Sequence, residues 1–261
     1  MIETLAVVIP AFNEEKYIGS TLDSLYTCNR PNAEINFIVV DNGSSDRTSD
    51  AVDQFSKDHP DFPLSLIAEG TKGTGVACNT GFRFGIDQLG AEVIVRTDSD
   101  TLVTPDWLRS IEMTFNTSPN AKLTTGPVHP AKDEWYESID YLAFPLSRGI
   151  SEAIIGVSQH TLHGRRLLTP GHNMATKASA YDAVGGFPLT SIDDISEDMV
   201  FRKKIVKEFG VKSVVFSNEM IVFTSMRRIR QTGYSRLASY YLNRGNKNKR
   251  LKASQGVIDI R

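Results

Sequence analysis

The chain is poor in cysteine and in long apolar runs, and each shortage removes a class of protein. Only Cys28 and Cys78 occur among its 261 residues, which argues against a disulfide framework and fits a reducing cytosol. No His-x-x-x-His or Cys/His set suggests zinc. No apolar run approaches the ~18 residues that a membrane span needs. The opening segment, MIETLAVVIP, lacks a basic stretch and enters a strand at once, unlike a secretory signal. Internal repeats and low-complexity tracts are missing. So is a Walker-type Gly-Lys-Ser/Thr, and Cys78 stands where the third glycine of a GxGxxG fingerprint would fall.

What is present suits one large α/β domain or two small ones. Hydrophobic content of 40% and charged content of 23% are ordinary for a globular chain. The net charge of −2 conceals an asymmetry. Arg227 to Lys252 holds nine basic residues and no acidic one, whereas Met1 to Met226 holds 19 basic and 30 acidic residues. The C-terminal stretch is therefore a distinct segment.

Leu5 to Ile9 reads as a strand stopped by Pro10. Glu14 and Glu15 suit the start of a helix, whose Ile18, Leu22 and Leu25 recur at helical spacing. A second strand, Asn36 to Val40, runs into DNGSSDRT, an Asn-Gly turn followed by capping residues. Leu64 to Ala68 is a third strand, and Lys122 to Gly126 another, with a turn over Pro127 to Pro130. Strand, loop and helix alternate, which predicts a parallel sheet covered by helices.

The stretch VIVRTDSDTLVTPDW, Val93 to Trp107, stands out. An apolar strand ends in Asp98, Ser99 and Asp100, and Pro105 then opens a helix. Ligands of open α/β sheets bind beyond the carboxyl ends of strands. A turn after Asp98 would let both carboxylates converge as hard oxygen ligands for Mg²⁺ or Mn²⁺ with a diphosphate. A solvated turn capping the next helix explains the same residues. In EGTKGTGVACNTG, the backbone around Gly73 can approach a nucleotide closely, with Lys72 or Arg83 near phosphate; an ordinary glycine turn is the alternative. In ISEDMVFRKKI, Glu197 and Asp198 open a helix with Phe201, Ile205 and Phe209 on one face. Adjacent helical positions lie about 100° apart, so one carboxylate can meet a substrate while the other caps or pairs with a base. Helix-dipole stabilisation alone explains both acids equally.

Taken together, VVIPAFNEE, VDNGSSDRT, GTGVACNTG and TDSDTLVTPDWL resemble, in order and spacing, the family 2 glycosyltransferases of the GT-A fold. GHNMATKASAYDAVGGF, ISEDMVFRKKI and TSMRR extend the resemblance over roughly residues 4–230. Two departures exist: the second motif reads Asp-Asn where Asp-Asp is usual, and no QxxRW is found, which counts against a processive synthase.

The resemblance implies a Rossmann-like, mostly parallel mixed sheet with flanking helices over residues 1–230. Residues 1–118 would form the nucleotide-sugar half and 119–230 the acceptor and catalytic half. A basic helical extension, 231–261, would follow. Pro10, Ala11 and Glu14 would line the nucleotide pocket and Asp41 would bond the base. Asp98 and Asp100 would serve the ribose and the metal-bound diphosphate. Asp198 would be the catalytic base beside Glu197, and Arg227 or Arg228 would neutralise the leaving diphosphate. His172, Asn173 and Gly186 are the candidate acceptor residues. The implied activity is inverting, metal-dependent transfer of a sugar from a nucleotide diphosphate to an acceptor hydroxyl. A sugar nucleotidyltransferase and a non-catalytic nucleotide-sugar-binding module are the alternatives.

In the tail, Tyr234, Leu237, Ala238, Tyr241 and Leu242 form one apolar helix face flanked by basic residues. Packing over the active site, contact with an anionic membrane and contact with nucleic acid are the competing readings. The first two fit a glycan or lipid-linked acceptor and a cytoplasmic enzyme at the inner face of the membrane.

Overall fold

The computed structural model describes residues 1–131, 171–189, 197–225 and 227. Contacts divide the chain into two compact units, Met1–Thr224 and Ser225–Arg261. The sequence motif TSMRR thus straddles the division, with Thr224 in the first unit and Arg227 in the second.

The first unit alternates as its pattern predicts: β1 (Thr4–Ala11), α1 (Ile18–Tyr26), β2 (Glu34–Asp41), α2 (Thr48–Asp58), β3 (Leu64–Ala68), α3 (Thr74–Asp87), β4 (Val93–Arg96). Then come β5 (Thr101–Val103), α4 (Trp107–Thr117), β6 (Leu123–Thr125), β7 (Val128–Pro130), β8 (Met174–Lys177), α5 (Ala178–Ala183) and α6 (Glu197–Phe209). A short 3₁₀ turn leads to β9 (Val214–Phe216) and β10 (Val222–Thr224). The main sheet has the order β3-β2-β1-β4-β8-β6-β9. Its first four strands are parallel, and β8 runs antiparallel to both β4 and β6. In a small sheet, β5-β10-β7, the middle strand runs antiparallel to β5 and parallel to β7.

β1 is buried on both faces, as a central strand of a covered parallel sheet must be. Leu5, Val7 and Ile9 pack in one core with Ile18, Leu22, Trp107 and Leu108. Ala6 and Val8 pack in the other with Phe82, Tyr181, Phe187 and Phe201. Two glycines let α3 press against this second face. A Cβ at Gly81 would fall 2.4 Å from a Val8 methyl, and one at Gly85 would fall 3.0 Å from Ala6. The predicted helix face of Phe201 and Ile205 is fully buried.

Three expectations change. Pro10 does not stop β1, which continues to Ala11. Val8 is the last residue that faces β4, so the missing N–H of Pro10 points where no strand waits. The turn expected over Pro127 to Pro130 contains a strand: Val128–Pro130 pairs with β10, a partner nearly a hundred residues away that local signals do not reveal. The helix expected from Glu14 begins only at Ile18, because Glu14 is buried and its carbonyl accepts the amides of Tyr17 and Ile18 in a turn. Arg228 and the helical face of the tail lie outside the described residues.

Candidate active site

Most of the expected site residues lie at the carboxyl ends of β1, β2 and β4, where an open sheet exposes its crevice. The β1 and β2 loops are laced together. Asn13, in the left-handed region at φ 57°, accepts the Ser45 amide at 2.8 Å, and its own amide donates to Ser44 Oγ at 3.0 Å. The Glu14 amide donates to Thr48 Oγ1 at 2.7 Å and the Glu15 amide to Asp46 Oδ2 at 3.1 Å. Pro10 and Ala11 are buried at the base of this crevice, the Ala11 carbonyl accepting the Asn42 amide at 2.8 Å.

Asp41 is held by its own loop, accepting the Ser44 amide at 2.9 Å and the Ser49 hydroxyl. Asn42 explains the departure from Asp-Asp. Its buried side-chain amide donates to the carbonyls of Glu69 and Thr71 at 3.1 and 2.8 Å, and its oxygen accepts the Gly73 amide at 2.8 Å. An ionised aspartate accepts only and could make one of these three bonds. The residue is a clamp on the glycine-rich loop. Gly73, at φ 148°, then turns the chain into α3. Lys72 is exposed, with its ammonium 4.0 Å from the centre of the Phe12 ring. Arg83 is elsewhere: it pairs with Asp182 and lies over Tyr181, bracing α3 against α5.

A turn does follow Asp98, whose carbonyl accepts the Thr101 amide at 3.1 Å. Ser99 is buried and its carbonyl accepts the Thr21 hydroxyl at 2.9 Å, anchoring the turn on α1. Asp98 and Asp100 therefore sit on one anchored turn at the rim of the sheet. Among the described residues no three His, Cys, Asp or Glu side chains stand close enough to hold a metal alone. Two hard carboxylates that leave the remaining positions to phosphate oxygens and water are what Mg²⁺-type sites with phosphate substrates use. The residues fit the ion in that way.

Glu197 and Asp198 open α6 and divide as their spacing allows. Glu197 Oε1 accepts Arg96 Nη1 at 3.1 Å. Asp198 accepts the Gly171 amide at 3.0 Å and the Met199 amide at 2.6 Å. Burial and the neighbouring Glu197 carboxylate push Asp198 up to about 7, against the opposing pull of Arg96. Asp198 thus lies well above the ordinary carboxylate range. Burial opposes the Arg96 charge, yet Cys78 and the acids Asp98, Glu197 and Asp198 around it raise its pKa well above the ordinary value. Sequence reading missed Arg96; its signal was a charge closing the otherwise apolar strand VIVR.

The acceptor candidates separate. Asn173 is fully buried, accepting the Trp107 indole N–H at 2.9 Å and donating to the carbonyls of Pro127 and Met220. Its amide ties α4 to the segments at Pro127 and Met220, with both of its N–H donors used. Gly186 sits at φ 66°, where a Cβ would strike Asn79 and Tyr181. The missing side chain lets the backbone pack closely against both. His172 is half-buried beside Gly171. The Arg227 amide donates to Ser225 Oγ at 3.3 Å within the second unit.

The fold, with its crevice and acidic turn, is that of a GT-A glycosyltransferase. The model of glycosyl transferase family 2 matches residues 6–183, and the chain belongs to that family. Glycosyltransferase AglE of Haloferax volcanii is 31% identical over 104 residues, which is 40% of this chain and 33% of that protein. Probable glycosyltransferase YdaM of Bacillus subtilis is 36% identical over 99 residues, 37% of this chain and 22% of that one. The matches thus span a third or less of the length of these curated relatives. The mannosyltransferase PcManGT of Pyrobaculum calidifontis, solved with GDP-Man and Mn²⁺, has a TM-score of 0.62 at 23% identity. That match covers 97% of this chain and 69% of the solved one. Glucosyl-3-phosphoglycerate synthase of Mycobacterium tuberculosis, solved with Mn²⁺, UDP and glucosyl-3-phosphoglycerate, also gives 0.62, at 16% identity over 97% of this chain and 80% of that one. At such identities the structural likeness shows the fold. Among the described residues no helix is long and apolar enough to cross a membrane.

Proposed function

We propose that this enzyme is an inverting, metal-dependent glycosyltransferase in which Asp198 is the base. The observation that carries the proposal is the meeting of Asp98, in the acidic turn, and Glu197, next to Asp198, on the single guanidinium of Arg96. The nucleoside would lie along the crevice between the β1 and β2 loops, with Pro10, Ala11 and Glu14 beneath it, Asp41 toward the base and Lys72 and Gly73 at its rim. Asp98, Ser99 and Asp100 would face the ribose and diphosphate and hold Mn²⁺ or Mg²⁺. When bound, that ion supplies charge neutralisation to the diphosphate.

In the reaction, Asp198 takes the proton of an acceptor hydroxyl as its oxygen bonds to the anomeric carbon. The bond from that carbon to the diphosphate breaks, and the nucleoside diphosphate leaves with the electron pair. One base suffices for direct displacement, so the configuration inverts. Arg227 or Arg228 as a further cation for the leaving group, and a glycan or lipid-linked acceptor approached at the membrane through the basic tail, belong to the same proposal. GDP-Man and UDP-Glc, present in the solved relatives, are the first donors to offer.

The test is a panel of nucleotide sugars with Mn²⁺, read by thermal shift and by release of nucleoside diphosphate. A donor at 100-fold its Kd should stabilise the fold by about 2.7 kcal/mol. Full activity in excess EDTA would remove metal dependence from the reading, and a product that retains the anomeric configuration would remove inversion.

A further inference from the structure

β4 is an apolar strand that ends in a buried arginine. Arg96 closes Val93, Ile94 and Val95, and its side chain is 3% exposed. An apolar residue would continue the strand without desolvating a charge, so a guanidinium here needs a reason beyond stability. Its nitrogens reach in two directions. Nε and Nη2 each donate to Asp98 Oδ1 at 3.2 Å, and Nη1 donates to Glu197 Oε1 at 3.1 Å. The backbone of Gly171 closes against the guanidinium, since a Cβ on that residue would fall 2.7 Å from Arg96 Cζ. The same Gly171 donates its amide to Asp198 at 3.0 Å. Three segments far apart in the chain, at residues 96–98, 171 and 197–198, are thereby referred to one rigid plane.

We infer that Arg96 is a positioning residue that sets the distance between the donor turn and the base-bearing end of α6. The inference rests on the reading of the site given above. Asp98 and Glu197 belong to elements that could each shift independently, one being a turn and the other the start of a helix. A planar fork that bonds both fixes their separation in a way a flexible point charge does not. Transfer requires the anomeric carbon and the acceptor oxygen in line, and a misplacement of about 1 Å costs ~10²-fold in rate.

The decisive variant is Arg96→Lys, which keeps the charge and loses the fork. The expected result is a fall in kcat for sugar transfer of ~10²-fold with donor KM changed less than roughly threefold. Gly171→Ala is the second variant. It displaces the guanidinium with every charge intact and should lower kcat in the same manner, and it decides alone should Arg96→Lys fail to fold. A folded Arg96→Lys with wild-type kcat overturns the inference. Parallel loss of kcat, donor affinity and melting temperature in both variants also overturns it, because that is what a purely structural arginine predicts. Asp198→Asn in the same assay separates the two levels. If it transfers at the wild-type rate, the assignment of the base fails. Unchanged kcat in Arg96→Lys beside an inactive Asp198→Asn brings down the role of Arg96 alone.

Discussion

The two sides of this site are built on different physics. On the side proposed for the nucleotide, polar groups of neighbouring loops bond one another: Asn13 with Ser44 and Ser45, Glu15 with Asp46, Asn42 with the loop at Gly73. On the side proposed for the acceptor, Arg96, Glu197 and Asp198 are ionisable groups taken out of water and balanced against each other across about a hundred residues of sequence. The first arrangement is a frame of modest hydrogen bonds, each contributing on the order of 1 kcal/mol. The second is sensitive, because removing one buried charge strands the rest. In the proposed reading, binding belongs to the tolerant side and proton transfer to the sensitive one.

The comparison breaks most sharply at Asp198. Asp198→Asn should lower kcat by ~10² to 10⁴ while nucleotide-diphosphate binding, read by calorimetry, stays near wild type. Equal losses in both would mean that the two sides are one unit. Glu197→Gln is the control: an inactive variant that still binds donor would shift the base to Glu197.

A pH profile sharpens the contrast. Asp198 must be deprotonated to accept a proton, so kcat should rise toward a plateau above about 7 and fall about tenfold per unit well below it. Donor binding should not follow that curve. The same group carries a stability signature. Its folded form keeps the proton up to about 7, whereas an unfolded aspartate releases it near ~3.9. Between these values the unfolded chain binds fewer protons, so this group's contribution declines as pH rises. Chemical denaturation at pH 5 and pH 8 should show the trend, and Asp198→Asn should erase it.

On the nucleotide side, Asp100→Ala should abolish the Mn²⁺-dependent part of donor affinity and leave the melting temperature without ligand close to wild type. Smaller still is the effect of Asn42→Asp, which removes the two donated bonds that hold the Glu69 and Thr71 carbonyls. A loss of about 1 to 3 kcal/mol in urea unfolding is expected, with kcat for transfer nearly unchanged. An Asn42→Asp enzyme of unaltered stability would show that the clamp is dispensable and that the usual Asp-Asp pair suits this loop as well.

The parallel strands and the helix faces were legible in the chain because they rest on local periodicity. Ile18, Leu22 and Leu25 recur at helical spacing and are fully buried, and Leu64–Ala68 is the strand its composition predicts. The loop motifs after β1, β2 and β4 were legible for a related reason: each is a short loop at a strand end, and its neighbours lie in the next strand of the sheet. The roles of Asn42, Asn173 and Gly186 were not legible. A buried amide with three partners, or a glycine under a tyrosine, is identified by what surrounds it. The β7 strand was missed because its partner, β10, is far along the chain.

Sequence alone determined that this is an α/β chain of the glycosyltransferase pattern, with acids at the ends of β2 and β4 and at the head of α6. Hydrophobic period and turn chemistry are local, and local rules are written residue by residue. Only the tertiary structure decided how the two acids at the head of α6 differ. It paired Glu197 with Arg96, left Asp198 on the Gly171 amide and raised its proton affinity by burial. Such an outcome depends on distances between segments some hundred residues apart and on the water excluded between them.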